Sequence, residues 1–93
     1  MRERDVEKYL VDRVKQLEGE VRKLKWIGRD GAPDRLVLLG GAHFVELKRP
    51  GGVPKPHQAR EHARMKRAGA SVWVLDSYAA VDLFLSQIMW WLE

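Results

Sequence analysis

The chain has 93 residues, with 17 lysines and arginines against 13 aspartates and glutamates, a formal charge of +4 and no cysteine. The missing cysteines exclude a disulfide framework, a thiolate zinc site and a thiol nucleophile, and they fit a reducing, cytoplasmic setting. A single domain of this size buries only roughly 60–65% of the surface its unfolded chain exposes, so a second copy of the chain is an expected source of stability. No stretch approaches the roughly 18 apolar residues of a membrane span, and the charged start of the chain does not read as a secretory signal. The positive balance makes nucleic acid or another polyanion a candidate partner, beside the plain alternative of a soluble surface.

Val6, Tyr9, Leu10, Val14, Leu17 and Val21 recur at three- and four-residue steps, which predicts a helix over about 3–18 capped by Gly19. Lys23 to Ile27 leaves too little room for a second helix before the Gly-Pro-rich segment 28–33, so a strand over about 21–27 follows. Residues 36–39 and 43–47 are two β-type runs around Gly40-Gly41 and predict a hairpin. Pro50 to Pro54 ends the second run. A basic helix over about 55–67 closes at Gly69, residues 71–75 form a strand, and Asp76 or Ser77 caps a last helix over 79–91. The expected fold is one α/β domain over residues 1–93, in the order α-β-β-β-α-β-α, with a small mixed sheet flanked by helices.

Asp34 opens one hairpin strand and Glu46 stands near the end of the other. Two acids converging across adjacent strands make an oxygen-rich pocket suited to a hard divalent cation, Mg²⁺ or Mn²⁺. Lys48, two residues on, shares the face of Glu46 about 6–7 Å along the strand. Such parts suit phosphodiester hydrolysis, with the lysine orienting or deprotonating a water and offsetting charge. Taken alone, Asp34 is also an ordinary turn residue, and a Glu46–Lys48 ion pair is also a structural device. A strict two-residue Gly40-Gly41 loop would set Asp34 on the opposite side from Glu46, so the chemistry requires a three-residue loop including Ala42 or a bulge near Pro33-Asp34. His43 and His62 lack metal-ligand spacing and are read as surface or packing residues.

The run Gly31-Ala32-Pro33-Asp34-Arg35-Leu36-Val37-Leu38, then Phe44-Val45-Glu46-Leu47-Lys48-Arg49-Pro50-Gly51-Gly52, then Gln58, resembles the PD-(D/E)XK nuclease superfamily. More narrowly it is similar to the virus-type replication-repair nuclease domain, VRR-Nuc, in its small stand-alone form. The resemblance spans about Val6 to Tyr78 and implies a restriction-endonuclease-like core. Carried over by position, it makes Asp34 and Glu46 metal-binding acids, Leu47 a ligand through its backbone carbonyl, Lys48 the catalytic lysine and Gln58 a supporting glutamine. Glu7 matches an acid of the first helix that would complete the metal shell, with Glu3 one turn earlier. Lys23 or Lys25 would fill the family's lysine before the Gly-X-Pro-Asp loop.

Arg49, Lys55, His57, Arg60 and Arg64, with Lys66 and Arg67, gather near the proposed site and suit tracking of a phosphate backbone, although a basic helical face is ordinarily just solvated. The two adjacent tryptophans, Trp90 and Trp91, cannot both face one small core, so a homodimer through the C-terminal helix is expected. The resemblance implies a Mg²⁺- or Mn²⁺-dependent endonuclease of phage or mobile-element origin acting on branched DNA. A Holliday-junction resolvase is the leading form. A flap nuclease or a catalytically silent DNA-binding module are the alternatives.

Overall fold

A computed structural model describes residues 1–90. Helix α1 (Glu3–Gln16) precedes strands β1 (Glu20–Lys23), β2 (Arg35–Leu38) and β3 (Ala42–Leu47); helix α2 (Pro56–Arg67), strand β4 (Val72–Leu75) and helix α3 (Tyr78–Met89) follow. The strands lie in the order β1-β2-β3-β4. The first two pairings are antiparallel and β3 runs parallel to β4, so α2 is the crossover that a parallel pair requires. This is the expected α/β order.

Alternation along the strands divides the sheet into two unlike faces. Val37, Val45, Leu47 and Leu75 meet Val6, Leu10 and Val14 of α1 and Val81, Phe84, Leu85 and Ile88 of α3 in one buried core. Four-residue spacing is what brings the three α1 side chains onto this contact. Ser77 starts α3 by accepting a hydrogen bond from the Ala80 amide at 3.0 Å, and Asp5 does the same for α1 with the Arg2 amide at 2.8 Å. The other face of the sheet carries Phe44 and Glu46 and is covered by α2.

Three local expectations change. Gly19 is not the residue in left-handed conformation after α1; Glu18 is, at φ 66°. Gly19 instead permits a close approach, since a Cβ there would lie 2.8 Å from the Leu38 carbonyl oxygen and from Val14 Cγ1. β1 stops at Lys23 because, after the Leu24 amide bonds the Asp34 carbonyl at 2.9 Å, the chain leaves the sheet toward α2. Of the two expected devices, a three-residue loop with Ala42 or a bulge near Pro33-Asp34, the hairpin has a three-residue loop, but its residues are Leu39, Gly40 and Gly41: Ala42 pairs with Leu38 inside the ladder. Leu39 keeps its side chain in the core, in phase with Val37.

On the core face, His43 closes a polar chain within apolar surroundings. Trp73 Nε1 donates to Ser71 Oγ at 2.7 Å, Ser71 Oγ lies 2.9 Å from His43 Nδ1, and His43 Nε2 lies 3.2 Å from the Leu39 carbonyl. The network assigns the neutral tautomer protonated on Nε2. Burial pushes the imidazole pKa below its usual value, against a smaller upward effect of the Leu39 carbonyl.

Two outcomes follow from this packing. Gly19→Ala is expected to cost about 1–3 kcal/mol in denaturant unfolding, because its Cβ meets a main-chain oxygen that cannot move freely. For His43 the unfolded chain takes up the proton first, so its stabilisation is complete above the usual imidazole range and is lost as pH falls toward the depressed folded value. The stability margin of the wild type over His43→Gln should therefore shrink from about pH 7.5 to about pH 5.5. A margin that does not change with pH would contradict the assignment.

Candidate active site

One step beyond the Arg35–Val45 pair, the β2–β3 register sets Asp34 opposite Glu46. Asp34 Oδ2 accepts a hydrogen bond from the Leu47 amide at 2.9 Å, tying the loop before β2 to the end of β3. Glu46 alternates with Val45 and Leu47 and so leaves the apolar core for the α2 face, where it is only 1% exposed. Its Oε2 atom receives Lys48 Nζ at 3.1 Å and Gln58 Nε2 at 3.1 Å. Gln58 Oε1 in turn accepts from Lys48 Nζ at 3.3 Å and from the Lys55 amide at 2.9 Å, at the first turn of α2. Asp34, Glu46, Leu47, Lys48 and Gln58 thus meet at one end of the sheet.

Burial is the largest influence on Glu46 and raises its pKa; the hydrogen bond from Lys48 opposes this, and the charges of Asp34 and Glu3 add to it. A carboxylate taken out of water needs compensation on both oxygens. Oε2 has it. Oε1 has no hydrogen-bond partner, and neither does Nε2 of His62, 3.9 Å away and equally buried. Burial, aided by the positive charge of Lys66, lowers the His62 pKa and favours its neutral form.

The donor set fits a hard divalent cation. Asp34 and Glu46 offer carboxylate oxygens, Glu46 Oε1 is an uncompensated buried acceptor, and Leu47 is gathered to the site through its own amide. Among the described residues no group of three or more His, Cys, Asp or Glu side chains is spaced to hold a metal. Mg²⁺ commonly retains several waters and takes only one or two carboxylates, so two acids and a main-chain oxygen suffice.

Glu7 does not join this cluster. Arg35, next in sequence to Asp34, points to the α1 side of the sheet and pairs with Glu7 there. The helix acid whose charge acts on Glu46 is Glu3, one turn earlier. Arg49, Lys55, His57 and Arg60 are exposed around the site. Arg64 is instead engaged by Glu61 at 3.0 Å. A cavity of about 410 Å³ beside Lys48 is lined by Arg2, Glu3, Arg49 and Val53, among others.

Glu61 carries no signal in the sequence, and His62 reads there only as a surface or packing residue. His62 lies four residues after Gln58, on the same helical face, and that spacing was the available signal. Glu61, only 4% exposed, receives Trp26 Nε1 at 2.7 Å, Arg29 Nη2 at 2.9 Å and Arg64 Nε at 3.1 Å. Nothing local marks it, because two of its three partners come from the distant loop between β1 and β2.

No family model matches the chain. It is 49% identical over 79 residues to the protein named "Putative nuclease p44" of Acyrthosiphon pisum secondary endosymbiont phage 1, a match covering 83% of this chain and 85% of that one. A solved structure described as a VRR_NUC domain superposes with a TM-score of 0.82 at 46% identity, over 90% of this chain and 94% of the other. With this fold and this degree of identity over most of its length, the chain belongs to the VRR-Nuc family.

Proposed function

We propose that the protein is a divalent-metal-dependent, structure-selective DNA endonuclease that hydrolyses phosphodiester bonds, acting as a homodimer on four-way junctions. The observation that carries the reading is the buried Glu46, held by Lys48 and Gln58 with Asp34 opposite. A Mg²⁺ or Mn²⁺ ion at Asp34 and Glu46 would polarise a phosphodiester oxygen and acidify a water. Lys48 keeps an ammonium against Glu46 and Gln58, with 18% of its side chain exposed, where it can orient the attacking water and offset negative charge on the phosphate. Gln58 fixes both partners at once and so limits the rotation of the carboxylate. Arg49, Lys55, His57 and Arg60 would follow the backbone of the nucleic acid without reading its bases. Family membership and the phage relative named as a nuclease support the same chemistry.

The dimer is supported by Trp90, 74% exposed beside a cavity of about 400 Å³ between α1 and α3. Trp91 lies outside the described residues. No helix among the described residues is long and apolar enough to cross a membrane.

The test is cleavage of junction, flap and linear DNA with Mg²⁺ or Mn²⁺. The junction should be cut fastest, chelation should abolish cleavage, and Lys48→Ala or Asp34→Asn should lower it by at least about 100-fold while binding persists. Binding without cleavage of any substrate by the wild type would refute an enzymatic role. In light scattering at micromolar concentration the expected mass is twice that of one chain; a monomer that cuts flaps in preference would replace the junction reading.

A further inference from the structure

The loop between β1 and β2 combines unusually firm anchoring with an apolar tip. Its ends are joined where the Leu24 amide meets the Asp34 carbonyl. Trp26 lies against Phe44, on the Glu46 face of the sheet, with ring centroids 6.3 Å apart, and its indole N–H is bound to buried Glu61. Arg29 is bound to the other oxygen of the same carboxylate. Further along, Gly31, at φ 90°, lies so close to α2 that a Cβ would sit 2.8 Å from the His57 carbonyl oxygen and 2.9 Å from Glu61 Cβ. Held on both sides, the loop carries Ile27 and Gly28 at its tip, with the exposed Asp30 beyond them. Ile27 is 97% exposed, and a Cβ on Gly28 would meet nothing within 4 Å.

Single exposed apolar side chains are common on flexible surface. Here the side chain next to the tip is fixed by a buried carboxylate on the helix that also carries Gln58 and His62, and the loop runs directly into Asp34. Its surroundings are predominantly basic: Lys23 and Lys25 are exposed on the approach and Arg60 on the adjoining helix, against the single exposed acid of the loop, Asp30. That charge favours a polyanion over an apolar protein surface. Apolar side chains pressed between base steps are a recurrent means of opening a duplex, and the step that yields most easily is one already unstacked.

We propose that Ile27 is a wedge that inserts between bases at the branch of the DNA substrate, with the Glu61-braced loop holding it in place. This rests on the nuclease reading and assigns a residue that selects branched over continuous DNA. Inserting the side chain displaces a base–base contact and leaves the neighbouring phosphates to the basic rim.

The test compares wild type, Ile27→Ala and Ile27→Met on a four-way junction carrying 2-aminopurine at the branch and on a linear duplex. Binding is read in chelator by fluorescence, and cleavage with Mn²⁺. Wild type should raise the 2-aminopurine signal several-fold. Ile27→Ala should lose that rise and about tenfold of junction cleavage, with unchanged thermal stability, while Ile27→Met restores both. Lys48→Ala, unable to cleave, should keep the fluorescence change. A wild type that binds and cuts junctions while Ile27→Ala matches it in both readouts overturns the wedge but leaves the nuclease intact. An unchanged fluorescence rise with a loss of dimer mass in Ile27→Ala also overturns it, making Ile27 a subunit contact. A wild type that neither binds nor cuts any DNA fails the nuclease reading itself.

Discussion

The demand that Val37 of β2 and Val45 of β3 both face the core governs the rest of the candidate site. Positions 37 and 45 have the same parity, so two strands that both turn these valines to the core need a turn of odd length; it has three residues, and the ladder pairs Leu38 with Ala42. Every position along the two strands inherits that register. A shift of one residue would reverse the facing of a whole strand and leave Asp34 and Glu46 on opposite sides of the sheet. Two apolar side chains on the far face of the sheet thus determine which acids can meet, and the tight packing of Gly19 against Leu38 and Leu39 helps to hold the end of the hairpin.

From that register comes a partition of the sheet. The two terminal helices share one apolar face, while Glu46, facing the other way, is left to be satisfied by α2. Lys48, one residue past the end of β3, and Gln58, from the first turn of α2, satisfy one oxygen; the second faces His62 without a bond. An interior carboxylate with half its capacity met is a costly element, and its cost is the reason to regard the cluster as chemical rather than structural. Glu61, one residue before His62, is by contrast fully occupied, with three donors, and its role is to fasten a loop.

Much of this was legible in the sequence, and the failures have physical reasons. Period-two and period-3.6 patterns located all seven elements, and Asp34, Glu46, Lys48 and Gln58 were identified by spacing and resemblance. Side-chain parity demands either a three-residue loop with Ala42 or a bulge near Asp34; the loop has three residues, but Leu39 belongs to it and Ala42 does not, a choice that parity alone leaves open. Glu7 and Glu3 are equivalent by helical spacing; only the pairing of Glu7 with Arg35 on the α1 side of the sheet separates them. β1 was drawn too long because Trp26 and Ile27 have strand-like character. Off the sheet, Trp26 is anchored to α2 by a hydrogen bond from its indole N–H to Glu61, a contact between residues 26 and 61 that no local pattern encodes.

Gln58 has a consequence that concerns which side chains its position can accept. Its carbonyl oxygen caps α2 through the Lys55 amide and also receives Lys48, while its NH₂ group donates to Glu46. Glutamate, the other residue common at this capping position, would supply the acceptor but bring a second negative charge against a buried one and offer no donor. Serine or alanine would supply neither at that reach. Only a neutral amide of this length answers both demands, so the start of a helix and the poise of an acid cannot be altered independently at that position.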